Sequence, residues 1–314
     1  MTYLLTNTQF LKHETGQHPE TPDRLRAILG HPGFQKLAER CTVIHGPWTP
    51  VDATVLQMVH DPAMVELARR IATQGGGRLD MDTVCSEHSF DIARATTACA
   101  FDAIDHVMSG PDRQAFCVVR PPGHHATPHE SMGFCLFNTI ALAARYAQRQ
   151  HRIDRVLIID WDVHHGNGTQ DVFYDDPSVY FFSTHRYPFY PGTGKSDETG
   201  TGNGLGYTLN LPLKFGLTRT DFLSTFRSGL IKAAHKCKPQ LILISAGFDA
   251  HHADPVGSLS LEAEDFKSFT QSVAEIAAVH TQGRIVSLLE GGYHLQWLPE
   301  CVNAHLEGML DAQN

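Results

Sequence analysis

The fold is decided by residues 156–167, VLIIDWDVHHGN, in which a short apolar run gives way at once to acidic residues and histidines. The run has no alternating polar positions, which is typical of a strand buried on both faces of a parallel sheet. In open parallel sheets, ligands bind beyond the carboxyl ends of the strands. The polar residues that follow Val156–Ile159 are therefore candidates for a binding or catalytic site.

Three further apolar runs are followed by polar, reactive residues in the same way. These runs are Phe116–Val119 before RPPGHH, Leu241–Ile244 before SAGFDAHH, and Ile285–Leu289 before EGGY. Helical patterns lie between the runs, and strands that alternate with helices indicate a parallel sheet between layers of helices. Because there is no repeat, linker or break in composition, residues 1–314 are predicted to form a single α/β domain.

Three helices are predicted from apolar side chains at helical spacing. They are a helix from about Asp91 to Val107, a helix that starts at Thr218 with Asp221 in a capping box, and a helix over Phe266–Ile276. The Gly- and Pro-rich stretch Tyr187–Gly206 is too long for a simple connection, so we expect it to shape a binding site.

The composition narrows the class of protein and its compartment. The 34 acidic residues outnumber the 25 basic ones and no Lys/Arg cluster is present, which disfavours a nucleic-acid partner. No apolar run is long enough to span a membrane, and residues 1–10 lack the features of a signal peptide, which predicts a cytoplasmic protein. Seven cysteines without a CxxC pair predict free thiols rather than disulfides or a thiolate zinc site.

Two acidic residues and a histidine form the clearest candidate for a metal site. Asp162 and His164 are two positions apart at a strand end, so both side chains point the same way, and Asp249 can join them from another strand. Three protein ligands leave one position open for water, which is the pattern of a catalytic rather than a structural metal.

The remaining polar residues suit hydrolysis next to such a metal. His124 and His125 are candidate bases, and Asp160 and Asn167 are candidate partners that would fix their tautomers. Tyr293 follows two glycines and can bring its hydroxyl close to a polarised carbonyl oxygen. Together these residues predict a metal-assisted hydrolysis site.

Six motifs resemble, in order and spacing, those of the histone deacetylase family over residues 15–300. They are HPETPDR (18–24), RPPGHH (120–125), ESMGFCLFN (130–138), DWDVHHGNGT (160–169), SAGFD (245–249) and EGGY (290–293), of which ESMGFCLFN is similar to the class II branch. The resemblance implies an arginase- and deacetylase-like three-layer α/β sandwich with a central, mainly parallel eight-stranded sheet flanked by helices. It also implies a zinc-dependent amidohydrolase that removes the acetyl group from acetyl-lysine or a related acetylated amine.

The resemblance assigns two metal sites by position. The ligands of Zn²⁺ would be Asp162, His164 and Asp249. A structural K⁺ would be held by the side chains and backbone carbonyls of Asp160, Asp162, His164, Ser183 and Thr184.

It also assigns catalytic and tunnel residues. His125 would be the general base and acid, with Asn167 beside it. His124 would be paired with Asp160 to stabilise charge, and Tyr293 would bind the oxyanion. The acyl tunnel would be lined by Gly133, Phe134, Tyr190 and Val256, and Arg24 would lie near the acetate exit.

Three positions depart from the wider family. Asn167 stands where class I enzymes have an aspartate, a feature shared with class II. Tyr190 stands where a second tunnel phenylalanine is usual, which leaves the width and polarity of the tunnel open. Val256 stands where polyamine-specific animal relatives carry a glutamate gatekeeper, so a polyamine preference set by that residue is not expected.

Two other classes of function fit the same fold. A binuclear ureohydrolase of the arginase type needs further aspartates after the ligands, where this chain has Gly166 and His251. An inactive protein that binds acetylated amines is expected to lack Tyr293 or a metal ligand, and all are present. The sequence leaves open whether the substrate is acetylated protein, acetylpolyamine or another small amide, whether the native metal is Zn²⁺ or Fe²⁺, and whether the chain forms a homo-oligomer.

Overall fold

The four predicted strands form the centre of an eight-stranded sheet in a computed structural model that describes residues 1–312. The strands are β1 (Tyr3–Thr6), β2 (Thr42–Ile44), β3 (Gly76–Arg78), β4 (Val84–Ser86), β5 (Gln114–Val118), β6 (Val156–Asp160), β7 (Val179–Arg186), β8 (Thr208–Leu213), β9 (Leu241–Ala246) and β10 (Ile285–Leu289). The helices are α1 (Pro22–Gly30), α2 (Pro32–Ala38), α3 (Pro62–Thr73), α4 (Ser89–Ser109), α5 (Thr139–His151), α6 (Asn167–Phe173), α7 (Arg219–Cys237), α8 (Ala263–His280) and α9 (Trp297–Asp311).

The strand order of the large sheet is β2-β1-β5-β10-β9-β6-β7-β8, and every neighbouring pair is parallel. The strands that the sequence predicted, β5, β10, β9 and β6, are therefore direct neighbours. Their ends are in register, with Asp160 opposite Ser245 and Leu289 opposite Ala246. β3 and β4 form a separate antiparallel hairpin. The motifs after the four central strands consequently lie side by side at one edge of the sheet.

The direction of each crossover places the helices in two layers. Crossovers between parallel strands are right-handed, so connections that step in opposite directions along the sheet cover opposite faces. α3, α4, α5 and α6 follow steps in one direction and pack against one another. α1, α2, α7 and α8 follow steps in the other direction and pack together with α9. The result is the three-layer α/β sandwich that the resemblance implied.

The predicted helices are present, and their apolar faces are buried. α4 buries Ile92, Ala95, Cys99, Ala103 and Val107, the side chains that the periodicity placed on one face. α7 is capped by Thr218, whose side chain accepts a hydrogen bond from the backbone N–H of Asp221. The Asp221 carboxylate accepts from the Thr218 hydroxyl at 2.7 Å, so the two side chains bond to each other in addition to the cap.

The layer formed by α7, α8 and α9 is joined to β6 by an aromatic cluster. Trp161, which directly follows β6, is fully buried, and its ring lies 6.0 Å from that of Phe226 and 5.8 Å from that of Phe269. Large buried rings of this kind contribute strongly to stability, at about 1.5–3 kcal/mol per side chain. The cluster fixes the strand end that carries Asp160 and Asp162.

The structure also bears on membrane spans and on the cysteines. Among the described residues, no helix is both long enough and apolar enough to cross a bilayer. All seven cysteines are unpaired, and all except Cys41 are buried, as predicted from their spacing.

Candidate active site

The sequence motifs that follow the central strands converge on three buried side chains. Asp162 and His164 come directly after β6, and Asp249 comes after β9. One ligating atom from each lies within 4.8 Å of the other two. The Nδ1 atom of His164 is 3.0 Å from Asp162 Oδ1 and 3.2 Å from Asp249 Oδ2. The structure thus brings the three predicted side chains together, with ligating atoms facing one another.

Two observations show that a cation fits between these side chains. Asp249 Oδ2 is buried and accepts no well-formed hydrogen bond from the described residues, although His164 Nδ1 lies 3.2 Å away; such an oxygen is costly to bury unless it binds an ion. Burial and the neighbouring Asp162 carboxylate raise the pKa of Asp249 to about 7. A divalent metal would relieve both the missing contact and the repulsion between the carboxylates.

The backbone holds both carboxylates in place. The N–H of Val163 donates to Asp249 Oδ1 at 2.8 Å, and the N–H of Gly291 donates to Asp162 Oδ2 at 2.9 Å. A Cβ atom on Gly291 would clash with the carboxylate oxygens of Asp162 and Asp249. Glycine is therefore required at this position, because the chain passes directly over the candidate metal site.

The pKa values of the tandem histidines shift in opposite directions because their partners differ. The Nδ1–H of His124 donates to Asp160 Oδ2 at 2.9 Å. Burial lowers the pKa of His124, but the carboxylates of Asp160 and Asp162 outweigh burial and raise it to about 10. The Nδ1–H of His125 donates to Asn167 Oδ1 at 2.7 Å, and burial together with the neighbouring His124 holds the pKa of His125 well below its usual range. The pKa of His124 is thus raised and that of His125 lowered, which favours the charged form of His124 and the neutral form of His125.

A pocket of about 230 Å³ opens onto His125 and His164. Its walls include all four predicted tunnel residues and two that were not predicted, and they comprise Asp82, His125, Gly133, Phe134, His164, Phe189, Tyr190, Val256 and Tyr293. The Phe189 ring stacks on His164 at 5.2 Å, and the Tyr190 ring meets His125 edge-on at 5.1 Å. These aromatic side chains form walls of the pocket next to His164, one of the three predicted metal ligands.

Tyr293 also lines this pocket. Its ring meets that of Phe134 edge-on at 5.7 Å, and the guanidinium of Arg24 lies 4.8 Å from the ring centre. Burial raises the pKa of the Tyr293 phenol well above its usual range, so the hydroxyl keeps its proton and can donate it. Arg24 is itself buried and donates to the backbone carbonyls of Glu290 and Gly292, so it lies directly behind the site.

The residues predicted for a potassium site lie at and just after the end of β6 and within β7. Asp160 is opposite Ser183 in the sheet register, and both are fully buried. The Ser183 hydroxyl lies 2.8 Å from His185 Nδ1, and the buried Thr184 hydroxyl has no hydrogen-bond partner among the described residues. The structure thus brings Asp160, Ser183 and Thr184 next to the strand end that carries Asp162 and His164.

Three residues of the pocket region were not found from the sequence. Asp82 comes from the β3–β4 hairpin, which carries no apolar signal of a central strand. Phe189 precedes Tyr190 within the Gly- and Pro-rich stretch that was expected to shape a site. Its position there, next to a predicted tunnel residue, could have identified it as a wall of the pocket. Asp254 accepts hydrogen bonds from backbone N–H groups, and contacts of this kind leave no pattern in the sequence.

The fold and the pocket define an α/β protein with a candidate metal centre, and comparisons with known proteins give its family. Residues 18–309 match the histone deacetylase domain. The human polyamine deacetylase HDAC10 is 36% identical over 98% of this chain, which spans 47% of that longer protein. The histone deacetylase-like amidohydrolase of Pseudomonas aeruginosa is 35% identical, over 93% of this chain and 76% of its own length. The crystal structure of the HDA15 HD domain superposes with a TM-score of 0.92 at 34% identity, covering 99% of this chain and 88% of that one. The chain belongs to the histone deacetylase family.

Proposed function

We propose that this protein is a zinc-dependent deacetylase that hydrolyses the acetyl amide of acetyl-lysine or a related acetylated amine to the free amine and acetate. The observation that carries the proposal is the buried group of Asp162, His164 and Asp249, whose ligating atoms lie within 4.8 Å of one another and whose His164 lines an aromatic-walled pocket. An apolar passage that reaches a cation site suits an extended acylated amine, because the acyl carbonyl arrives at the metal while the rest of the substrate stays outside.

Asp162, His164 and Asp249 would hold the zinc ion as two oxygen ligands and one nitrogen ligand. When bound, zinc would supply Lewis acidity to the acetyl carbonyl and acidify the attacking water. Carboxylate and imidazole ligands form a harder set than thiolates, so Fe²⁺ or Co²⁺ can also be accepted.

His125 would take the proton of the attacking water and return it to the leaving amine. Its neutral state and its Nδ1–H bond to Asn167 leave Nε2 as the basic atom. His124, charged and paired with Asp160, would stabilise negative charge as the amide carbonyl is attacked. Tyr293 would donate its hydroxyl to the carbonyl oxygen.

Gly133, Phe134, Tyr190 and Val256 would form the walls that orient the acyl chain and exclude water. A K⁺ ion bound by Asp160, Ser183 and the backbone around Asp162, His164 and Thr184 would be structural, since it would fix the strand end that carries the zinc ligands. We further propose that residues 1–314 act as one catalytic domain in the cytoplasm, without nucleic-acid or membrane partners.

An acetylated polyamine or another small amide is the alternative substrate for the same site. A relative of this chain is named a polyamine deacetylase, and the carboxylate of Asp82 lines the pocket, where it can attract a second amine charge. Against this, Val256 occupies the rim position where a glutamate would select polyamines.

The decisive experiment is a substrate panel with purified, zinc-loaded protein. It compares acetyl-lysine peptides, acetylpolyamines and trifluoroacetyl-lysine for release of acetate or trifluoroacetate. We expect turnover of at least one acetylated amine, and its loss in His125→Ala with zinc retained. His88→Ala, which changes an exposed histidine, is the matched control.

Absence of turnover from every acetylated amine, with one zinc bound, would favour an inactive protein that binds acetylated amines. Release of urea from a guanidino substrate would favour an arginase-type enzyme. Wild-type rates in His125→Ala would remove that residue from the proposed mechanism.

A further inference from the structure

Asp254 is a buried carboxylate that lies behind the pocket and takes no part in the proposed mechanism. Its side chain is 6% exposed. Asp254 Oδ2 accepts a hydrogen bond from the backbone N–H of Tyr293 at 2.7 Å. This bond reaches across 39 residues of sequence to the residue that carries the proposed oxyanion donor.

The second oxygen of the same carboxylate holds the rim of the pocket. Asp254 Oδ1 accepts from the N–H groups of Val256 and Gly257 at 2.9 and 3.0 Å, which closes a tight turn. Val256 lines the pocket opposite its aromatic walls. One carboxylate therefore fixes two separate parts of the pocket, the Tyr293 segment and the Val256 turn.

The turn is connected in its own right to the aromatic wall. Arg186 donates from its guanidinium to the carbonyl of Gly257 at 3.0 Å, and its guanidinium carbon lies 4.2 Å from the centre of the Phe189 ring. Phe189 in turn stacks on His164. Contacts thus run without interruption from Tyr293 through Asp254 and Arg186 to a proposed zinc ligand.

The Tyr293 segment needs such an anchor because its own backbone is permissive. Gly292 adopts a positive φ of 113°, a conformation that glycine allows but does not enforce. No regular element begins until α9 at Trp297. The hydrogen bond from the Tyr293 N–H consequently fixes where the Tyr293 Cα sits, and with it the reach of the phenol.

We infer that Asp254 is a positioning residue that sets the distance of the Tyr293 hydroxyl from the reacting carbonyl. This inference rests on the proposed function, in which Tyr293 donates to the oxyanion. An oxyanion donor is effective only when it is held in advance at hydrogen-bond distance. A shift of about 1 Å in a catalytic group can cost on the order of 10²-fold in rate.

Asp254→Asn separates the two contacts of the carboxylate. Its single amide oxygen can still accept from Val256 and Gly257, so the amide nitrogen must face the N–H of Tyr293, where two donors repel. We expect kcat on an acetyl-lysine peptide to fall roughly 10- to 100-fold, with unchanged zinc content and a smaller loss on trifluoroacetyl-lysine. Asp52→Asn makes the same chemical change at an exposed cap and is expected to behave as wild type.

The combination with Tyr293→Phe tests whether the effect passes through the tyrosine. In the Tyr293→Phe background, Asp254→Asn should change kcat less than about 2-fold, because the hydroxyl that it positions is already gone. A rate loss of the same size in both backgrounds, or an unchanged rate in Asp254→Asn alone, would overturn the inference while leaving the proposed function intact. A wild-type rate in Tyr293→Phe would overturn both. If Asp254→Asn does not fold, Asp254→Ser, whose hydroxyl can still close the turn, takes its place with the same criteria.

Discussion

His125 Nδ1 lies 2.7 Å from the side-chain oxygen of Asn167, and this contact determines which ring nitrogen is basic. An amide oxygen can only accept, so Nδ1 carries the hydrogen and Nε2 keeps its lone pair. The amide nitrogen of Asn167 points to the Sδ atom of Met132 at 3.4 Å, which agrees with this orientation. Asn167 therefore fixes the tautomer of His125 without placing a negative charge beside the ring.

Replacing Asn167 with aspartate should therefore move the pH profile. A carboxylate against Nδ1 favours the protonated ring and raises the pKa of His125. The base must be deprotonated, so the acidic limb of kcat/KM should shift to higher pH by roughly one to two units. Rates measured from acid to neutral pH check this, with Asn203→Asp, an exposed change, as the control. A limb that stays in place or moves to lower pH would contradict the role of His125.

Asp249→Ala should abolish zinc binding. It removes one of three ligands, and the remaining pair cannot hold the metal tightly, so zinc should fall from about one per chain to near zero. In the wild type, a chelator should lower Tm because metal binding stabilises the folded state. In Asp249→Ala, Tm should no longer respond to the chelator. Full zinc content in the variant, measured by elemental analysis beside Asp52→Asn, would show that the ligand set is wrong.

The central sheet could be predicted because its strands are buried on both faces and read as unbroken apolar runs. The first residue of β6, β9 and β10 is the first residue of the predicted run in each case, and the last residue differs by at most two positions. β1 and β2 were missed because they have only four and three residues, too short for a periodic signal. β8 was missed because it alternates between buried and partly exposed positions and contains Pro212, as an edge strand can.

The grouping of the site residues could be predicted because their side chains directly follow those strands. Asp162, His164 and Asp249 follow strand ends that the sheet brings together, so a pattern of strands and polar residues was enough to group them. The role of Asp254 could not be predicted, because its partners are backbone N–H groups far along the chain. The roles of the site residues, the bound zinc and potassium, the single domain and the cytoplasmic location stay predictions.

A buried histidine outside the active site should make the protein sensitive to acid. His305 is fully buried between the hydroxyls of Thr270 and Ser287, and burial lowers its pKa to about 3. The unfolded chain binds a proton near pH 6.5, but the folded protein does not until far lower pH. The neutral ring therefore contributes stability that is present above about pH 6.5 and is lost as the pH falls toward the folded pKa.

The measurement is urea unfolding at several pH values between 6.5 and 4.5, in wild type and in His305→Gln. The variant should be less stable overall, but its free energy of unfolding should fall less steeply with acid, by up to about 1.4 kcal/mol per pH unit. Other titrating groups cancel in the difference between the two proteins. Parallel curves would mean that His305 is protonated in the folded state.

Tyr293→Phe should separate transition-state stabilisation from packing. The phenylalanine ring keeps the contacts with Phe134 and the Arg24 guanidinium, so fold, zinc content and inhibitor binding should be preserved. Loss of the hydroxyl removes one donor from the oxyanion, which should lower kcat/KM on acetyl-lysine roughly 10²–10³-fold. Trifluoroacetyl-lysine has a more electrophilic carbonyl and depends less on that donor, so its loss should be smaller. Measuring kcat/KM for both substrates in both proteins decides the matter: equal rates of the two proteins on acetyl-lysine would refute the role of Tyr293 and return the inactive binding protein to consideration.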